Sequence, residues 1–133
     1  MKRAVLLGLL GSTLLGCAAE PHIRHNHTYL LEWIGERQLI DNSYLTITMG
    51  KDGRAYGSGG CNHWFAPYTQ DDHGITIGPV GNTRKVCAPA VMEQEQRFLD
   101  ALNKVQRWDI SPIGQLRLWP EQGKPLRLWL EDS

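Results

Sequence analysis

Nothing in these 133 residues announces a familiar catalyst. There is no G-x-S-x-G nucleophile elbow, no Cys/His spacing of the zinc type, and no glycine loop ending in Gly-Lys that would cradle a phosphate. Charge is balanced at 14 basic and 14 acidic residues, with no basic cluster, which argues against nucleic acid as a partner. After residue 17 no apolar run approaches the roughly 20 residues that a membrane-spanning helix needs. There is no low-complexity tract and no internal repeat, so a solenoid or repeat array is excluded. Cysteine is scarce, with only Cys17, Cys61 and Cys87. No metal, cofactor or catalytic residue is expected.

What is present begins with an export pattern. Lys2 and Arg3 precede an apolar run from Ala4 to Gly16 rich in leucine, too short to span a bilayer. The run ends Leu14-Leu15-Gly16-Cys17-Ala18-Ala19. This resembles the bacterial lipoprotein signal, in which a Leu and a small residue precede the Cys that is lipidated. The resemblance implies a signal peptide over 1–16 and an acylated Cys17. Ala18 is not the Asp that retains lipoproteins at the inner membrane, so the implied address is the periplasmic face of the outer membrane. Without Lys2 and Arg3 the chain carries 12 basic and 14 acidic residues, a net charge of −2 with histidines neutral.

The anchor changes the cysteine arithmetic. With Cys17 acylated, Cys61 and Cys87 remain in an oxidising compartment, where pairing is the default. Two buried thiols are the alternative; a reactive thiol lacks an evident partner set.

Residues 17–27 read as a polar tether, with Pro21 and no apolar periodicity. His22, His25 and His27 fall here with a spacing that suits a transition metal, but no Cys or carboxylate completes a ligand set, and a solvated linker is expected. The domain is expected over 28–131. Tyr29–Ile34 is rich in β-formers, with Leu39-Ile40 as a short continuation after Gly35. Tyr44–Met49 alternates like a half-buried antiparallel strand, and Gly50-Lys51-Asp52-Gly53 turns it into Arg54–Ser58. Gly57-Ser58-Gly59-Gly60 marks a bend. Ile75-Thr76-Ile77 is a short strand stopped by Gly78-Pro79.

One helix is predicted from Pro89, with Val91, Met92, Phe98, Leu99, Leu102 and Val105 on its apolar face. Glu93 and Glu95 lie early and Lys104 late, in keeping with the helix dipole. Glu95 shares the inner side, where a bond to backbone or arginine is expected. Three strands follow: Val105–Ile110, Gln115–Trp119 and Leu126–Leu130. Arg117, Trp119, Arg127 and Trp129 fall opposite the leucines. They form either an aromatic and basic platform for a partner or a packed outer face.

Gly60-Cys61-Asn62, Tyr68, Thr83-Arg84-x-x-Cys87 and Glu95-x-x-Phe98-Leu99-x-x-Leu102 occur in the order and spacing of the META/HslJ family of bacterial envelope proteins, which the chain resembles. The resemblance implies an α+β fold: a curved antiparallel β-sheet, like an incomplete barrel, packed with one α-helix. It implies no established enzymatic activity. Its family-level associations are heat-shock response and novobiocin resistance. The family-motif residues Gly60, Cys61, Asn62, Thr83, Arg84 and Cys87 either hold the bend together or face a ligand.

Two function classes follow. The first is a non-catalytic, membrane-anchored envelope module that presents a groove or sheet edge to a lipid, peptide or envelope protein. The second is an inhibitor of an incoming hydrolase, with Trp64–Gly74 and Ser111–Gly114 as loop candidates; a related alternative is a lipid-binding pilot or assembly factor.

Overall fold

The computed structural model describes residues 20–131 continuously, and Ala4, Gly8, Leu10 and Gly11 before them. Cys17 and most of the 1–16 signal lie outside the described residues. The elements run β1 (Thr28–Ile34), β2 (Arg37–Gln38), β3 (Thr46–Met49), β4 (Arg54–Ser58), β5 (His63–Gln70), β6 (Ile75–Ile77), β7 (Gly81–Asn82), α1 (Pro89–Lys104), β8 (Val105–Ile110), β9 (Leu116–Pro120) and β10 (Leu126–Leu130).

The strands form one antiparallel sheet in the order β6-β5-β4-β3-β1-β10-β9-β8, with β2 on β1 and β7 on β5. Its two ends meet. The Trp108 N–H donates to the His73 carbonyl at 3.0 Å, and Gly74 bridges Arg107. The result is a nearly closed barrel with, among the described residues, one helix, the α+β architecture that the motif order implies. Closure removes the sheet edges that would otherwise recruit other strands.

Alternation decides the core. Leu45, Ile47, Met49, Ala55, Trp64, Ala66, Leu116, Leu118, Leu126 and Leu128 all point inward and are buried. Helix α1 adds Phe98, Leu99 and Leu102, and the Phe98 ring meets Trp64 edge-on at 6.0 Å. Pro89 opens the helix and Lys104 lies in its last turn, but no acidic residue stands in its first turn. The inner face is also more polar than its apolar spacing predicts. Gln94 is buried, accepting from the Ile40 N–H at 2.8 Å and donating to Ser43 Oγ at 3.0 Å.

Four expectations are corrected. Residues 17–27 are not a tether throughout, because Ile23 is only 1% exposed and joins the core. Around it the Arg24 N–H donates to the Tyr29 hydroxyl, the Asn26 N–H to the Met49 carbonyl, and the Lys51 N–H to Asn26 Oδ1. A single isoleucine carries no periodicity, so the pattern hides it. Leu39-Ile40 does not continue β1; the chain reverses at Gly35-Glu36, and Arg37–Gln38 pairs back on β1. Strand β3 is buried on both faces, since Thr46 and Thr48 are also covered. It lies between β1 and β4, and its hydroxyls are satisfied: Thr46 Oγ1 accepts the Ser58 N–H, and Thr48 Oγ1 donates to Thr28 Oγ1. Trp64–Gly74 is not a loop. It is β5 followed by the Asp71–Gly74 turn, with Trp64 inside the barrel.

Candidate functional site

The glycine bend after β4 brings the motif residues together around one buried carboxylate. Glu95, 3% exposed on the inner face of α1, accepts three hydrogen bonds. They come from the Cys61 N–H at 2.9 Å, the Asn62 N–H at 2.6 Å and Asn62 Nδ2 at 2.7 Å. These donors replace the hydration that burial strips from a carboxylate. The approach depends on the bend. A Cβ on Gly59 would fall 2.8 Å from Glu95 Oε2, and Gly60 has φ of +105°.

Asn62, also 3% exposed, passes this order outward. Its Oδ1 accepts from Thr83 Oγ1 at 3.1 Å and the Lys85 N–H at 2.6 Å, while Nδ2 donates to the Lys85 carbonyl at 3.1 Å. Thr83 Oγ1 accepts in turn from the His63 N–H. Cys61 and Cys87 are joined by a disulfide with a Cα–Cα distance of 6.0 Å. Gly60, Cys61, Asn62, Thr83 and Cys87 thus build an internal clamp. The sequence placed Glu95 on the inner side but did not pair it with Asn62. The usable signal was that a carboxylate on a buried helix face requires donors.

Arg84 takes no part in the clamp. It is exposed and, among the described residues, has no hydrogen-bond or ion-pair partner. The clamp holds up a loop, Thr83–Ala88, that is exposed throughout, with Val86 90% exposed.

A groove lies on the outer face of β4 and β5. Tyr56 and Phe65 are directly paired across the strands and are 49% and 56% exposed. Pro67 extends this face, and Pro79, Val80 and Gly81 form a wall, Gly81 pairing with Phe65. The cavity measures about 750 Å³. Two exposed aromatic rings beside two prolines make an apolar surface with little conformational entropy to lose on binding.

Two of the three N-terminal histidines line a second cleft of about 890 Å³, where Glu20, His22 and His25 face Asp71, His73 and Asp109. His25 is occupied there, bonded to Gln70 Oε1 at 3.0 Å and stacked on Tyr68. His22 Nδ1 lies 3.2 Å from the Glu20 carbonyl. Among the described residues no three His, Cys, Asp or Glu side chains converge on a metal position, and His27 does not line the cleft.

Arg117, Trp119, Arg127 and Trp129 share the outer face of β9 and β10. Asp109 takes both Arg117 Nε and Nη2 at 2.7 Å and the Trp119 indole N–H at 3.0 Å. Burial works to raise the Asp109 carboxyl, and the bonds from Arg117 and Trp119 outweigh it, leaving it below the ordinary carboxylate range. The same pairing raises Arg117.

Solved structures share this fold. An NMR structure of a protein from Burkholderia xenovorans superposes with a TM-score of 0.69 at 22% identity, covering 82% of this chain and 84% of that one. A second NMR structure gives 0.61 at 23% identity, covering 78% and 88%. No curated protein matches the sequence. The META domain model matches residues 22–133, starting just before the buried Ile23. With that match spanning the barrel, the helix and the clamp, the chain belongs to the META domain family.

Proposed function

We propose that this chain is a non-catalytic envelope module, anchored through Cys17 at the periplasmic face of the outer membrane, that binds an apolar chain in the Tyr56–Phe65 groove. The observation that carries the reading is the exposed Tyr56–Phe65 pair walled by Pro79–Gly81 in a cavity of about 750 Å³. Burying an acyl chain there gains ~0.8 kcal/mol per CH₂. An envelope stress role, in heat or novobiocin tolerance, fits a module that takes up displaced lipid or unfolded apolar segments. Titration with the fluorescent fatty acid cis-parinaric acid tests it. Saturable binding that weakens about tenfold or more, ~1.4 kcal/mol, in Phe65→Asp with an unchanged melting temperature supports the groove. Absence of binding, or equal binding by the variant, contradicts it. Radiolabelled palmitate tests the anchor separately: it should enter the wild type and not Cys17→Ser.

A second reading, a hydrolase inhibitor, is favoured by one feature. Asn62 grips both the N–H and the carbonyl of Lys85, while Arg84 and Val86 face solvent. Such a fixed, exposed loop is what a protease-blocking segment needs, and Thr83–Ala88 replaces Trp64–Gly74 as its candidate. Inhibition of a trypsin-type protease that is lost in Arg84→Ala/Lys85→Ala would select this reading; cleavage of the loop or no binding would remove it.

A further inference from the structure

The outer face of β1, β10, β9 and β8 carries a row set by strand register: Trp33 opposite Arg127, Arg127 opposite Arg117, and Arg117 opposite Asp109. Beside it Trp119 pairs with Arg107. The guanidinium carbons of Arg107 and Arg117 lie 5.0 and 5.3 Å from the Trp119 ring, and that of Arg127 lies 5.7 Å from Trp33. Trp129 adds a third indole, bonded to Glu32.

The charges on this face are unevenly paired. Asp109 is committed to Arg117, and Glu32 to Trp129 and Gln115. Among the described residues neither Arg107 nor Arg127 has a carboxylate within ion-pair distance. Arg127 Nε is buried with no hydrogen-bond partner. Asp109 already neutralises Arg117, so Arg127, directly opposite it, is the guanidinium of that pair left for an outside anion. Half-buried tryptophans beside arginines that hold no carboxylate at ion-pair distance suit one environment in particular, the headgroup layer of a bilayer, where indoles settle and phosphates supply the anion.

The position of the chain's start points the same way. Glu20 and His22 line the cleft that also holds Trp108, Asp109 and Ile110 of β8. Cys17 precedes Glu20 by three residues, at most about 10 Å of extended chain. An acylated Cys17 would therefore enter its membrane next to the β8 end of this face.

We propose that the Trp33, Arg127, Arg117, Trp119 and Arg107 face lies against the phosphate headgroups of the membrane that holds the anchor. It turns the barrel onto its side there and leaves the barrel oriented rather than swinging on its tether. The proposal rests on the anchor reading for its geometry, but the face is testable without lipid on Cys17. Residues 23–130 contain the whole core, so the chain from residue 17 with Cys17→Ser is the unit to use. It is cosedimented with phosphatidylethanolamine vesicles containing phosphatidylglycerol and with phosphatidylcholine vesicles alone. Binding to the first set only, with a blue-shifted tryptophan emission and weakening by salt, is expected. Arg107→Gln/Arg127→Gln should lose about tenfold in that binding with an unchanged melting curve, and Arg107→Lys/Arg127→Lys should restore it. No phosphatidylglycerol-dependent binding, or equal binding by the Gln variant, overturns the proposal. Failure of palmitate to label Cys17 would remove the anchor while leaving the vesicle result to judge the face.

Discussion

Glu95 and Asn62 are joined twice, through the Asn62 backbone N–H at 2.6 Å and its side-chain Nδ2 at 2.7 Å, and this pair ties the helix to the glycine bend. Replacing Glu95 by Ala leaves the Cys61 and Asn62 backbone N–H groups without an acceptor and takes one of two acceptors from Asn62 Nδ2. Each such group costs ~1–3 kcal/mol, so Glu95→Ala should lose about 3 kcal/mol or more in a urea titration. Glu95→Gln should lose less, because one amide oxygen still accepts. A loss below about 0.5 kcal/mol, the range of ordinary surface changes, would show that the clamp is dispensable.

The disulfide closes the same clamp from outside. Cys61 and Cys87 are 26 residues apart, and the chain-entropy model gives about 3.5 kcal/mol for such a loop. Intact mass without reductant should be two hydrogen atoms lower than the reduced form. Cys87→Ser should lower the melting temperature, and equal melting with and without reductant would place the staple outside the stability of the domain.

Ile23 tests where the domain begins. It is buried among core residues, although the segment around it reads as a polar linker. Ile23→Ala should destabilise by ~2–4 kcal/mol, as for a buried large-to-small change. Ile23→Ala indistinguishable from wild type in chemical denaturation would return residues 20–27 to the linker class.

Asp109 makes stability depend on acid. Its carboxyl is held below its ordinary value by Arg117 and Trp119 against the opposing effect of burial. A group lowered in the folded state stabilises above its unfolded pKa of about 3.9 and loses that contribution as pH falls through the folded value. Asp109→Asn should therefore melt lower than wild type at pH 7, and the gap should narrow as pH falls below about 4. The pair is partly exposed, so the effect should stay under ~1 kcal/mol. A gap that widens in acid would contradict the assignment.

The strands of the barrel were legible because alternation is a two-residue signal: Leu45, Ile47 and Met49, or Leu126 and Leu128, declare an inner face without help from the rest of the chain. The helix was legible for the same reason at its own period. What was hidden depends on distant partners. Thr46 and Thr48 read as solvent-facing, and only their position between β1 and β4 covers them. Tyr56 and Phe65 sit in segments of unremarkable pattern, and they become a groove only when β5 pairs with β4 and the Pro79–Gly81 wall closes on them. Asn62, Thr83 and Arg84 stood out together in the sequence, yet Asn62 is buried and the exposed Thr83 turns its hydroxyl onto it, while Arg84 faces solvent. No spacing rule separates them; the separation comes from the buried position of Glu95.

The central claim is that the motif is a scaffold and the Tyr56–Phe65 groove is the working surface. The most direct measurement is residue-resolved NMR of the isotopically labelled protein titrated with a fatty acid. The account predicts shifts concentrated on Tyr56, Phe65, Val80 and Gly81, with the Asn62 side-chain amide unmoved. Shifts centred on Asn62, Thr83 and Arg84, or none at the groove, would contradict it.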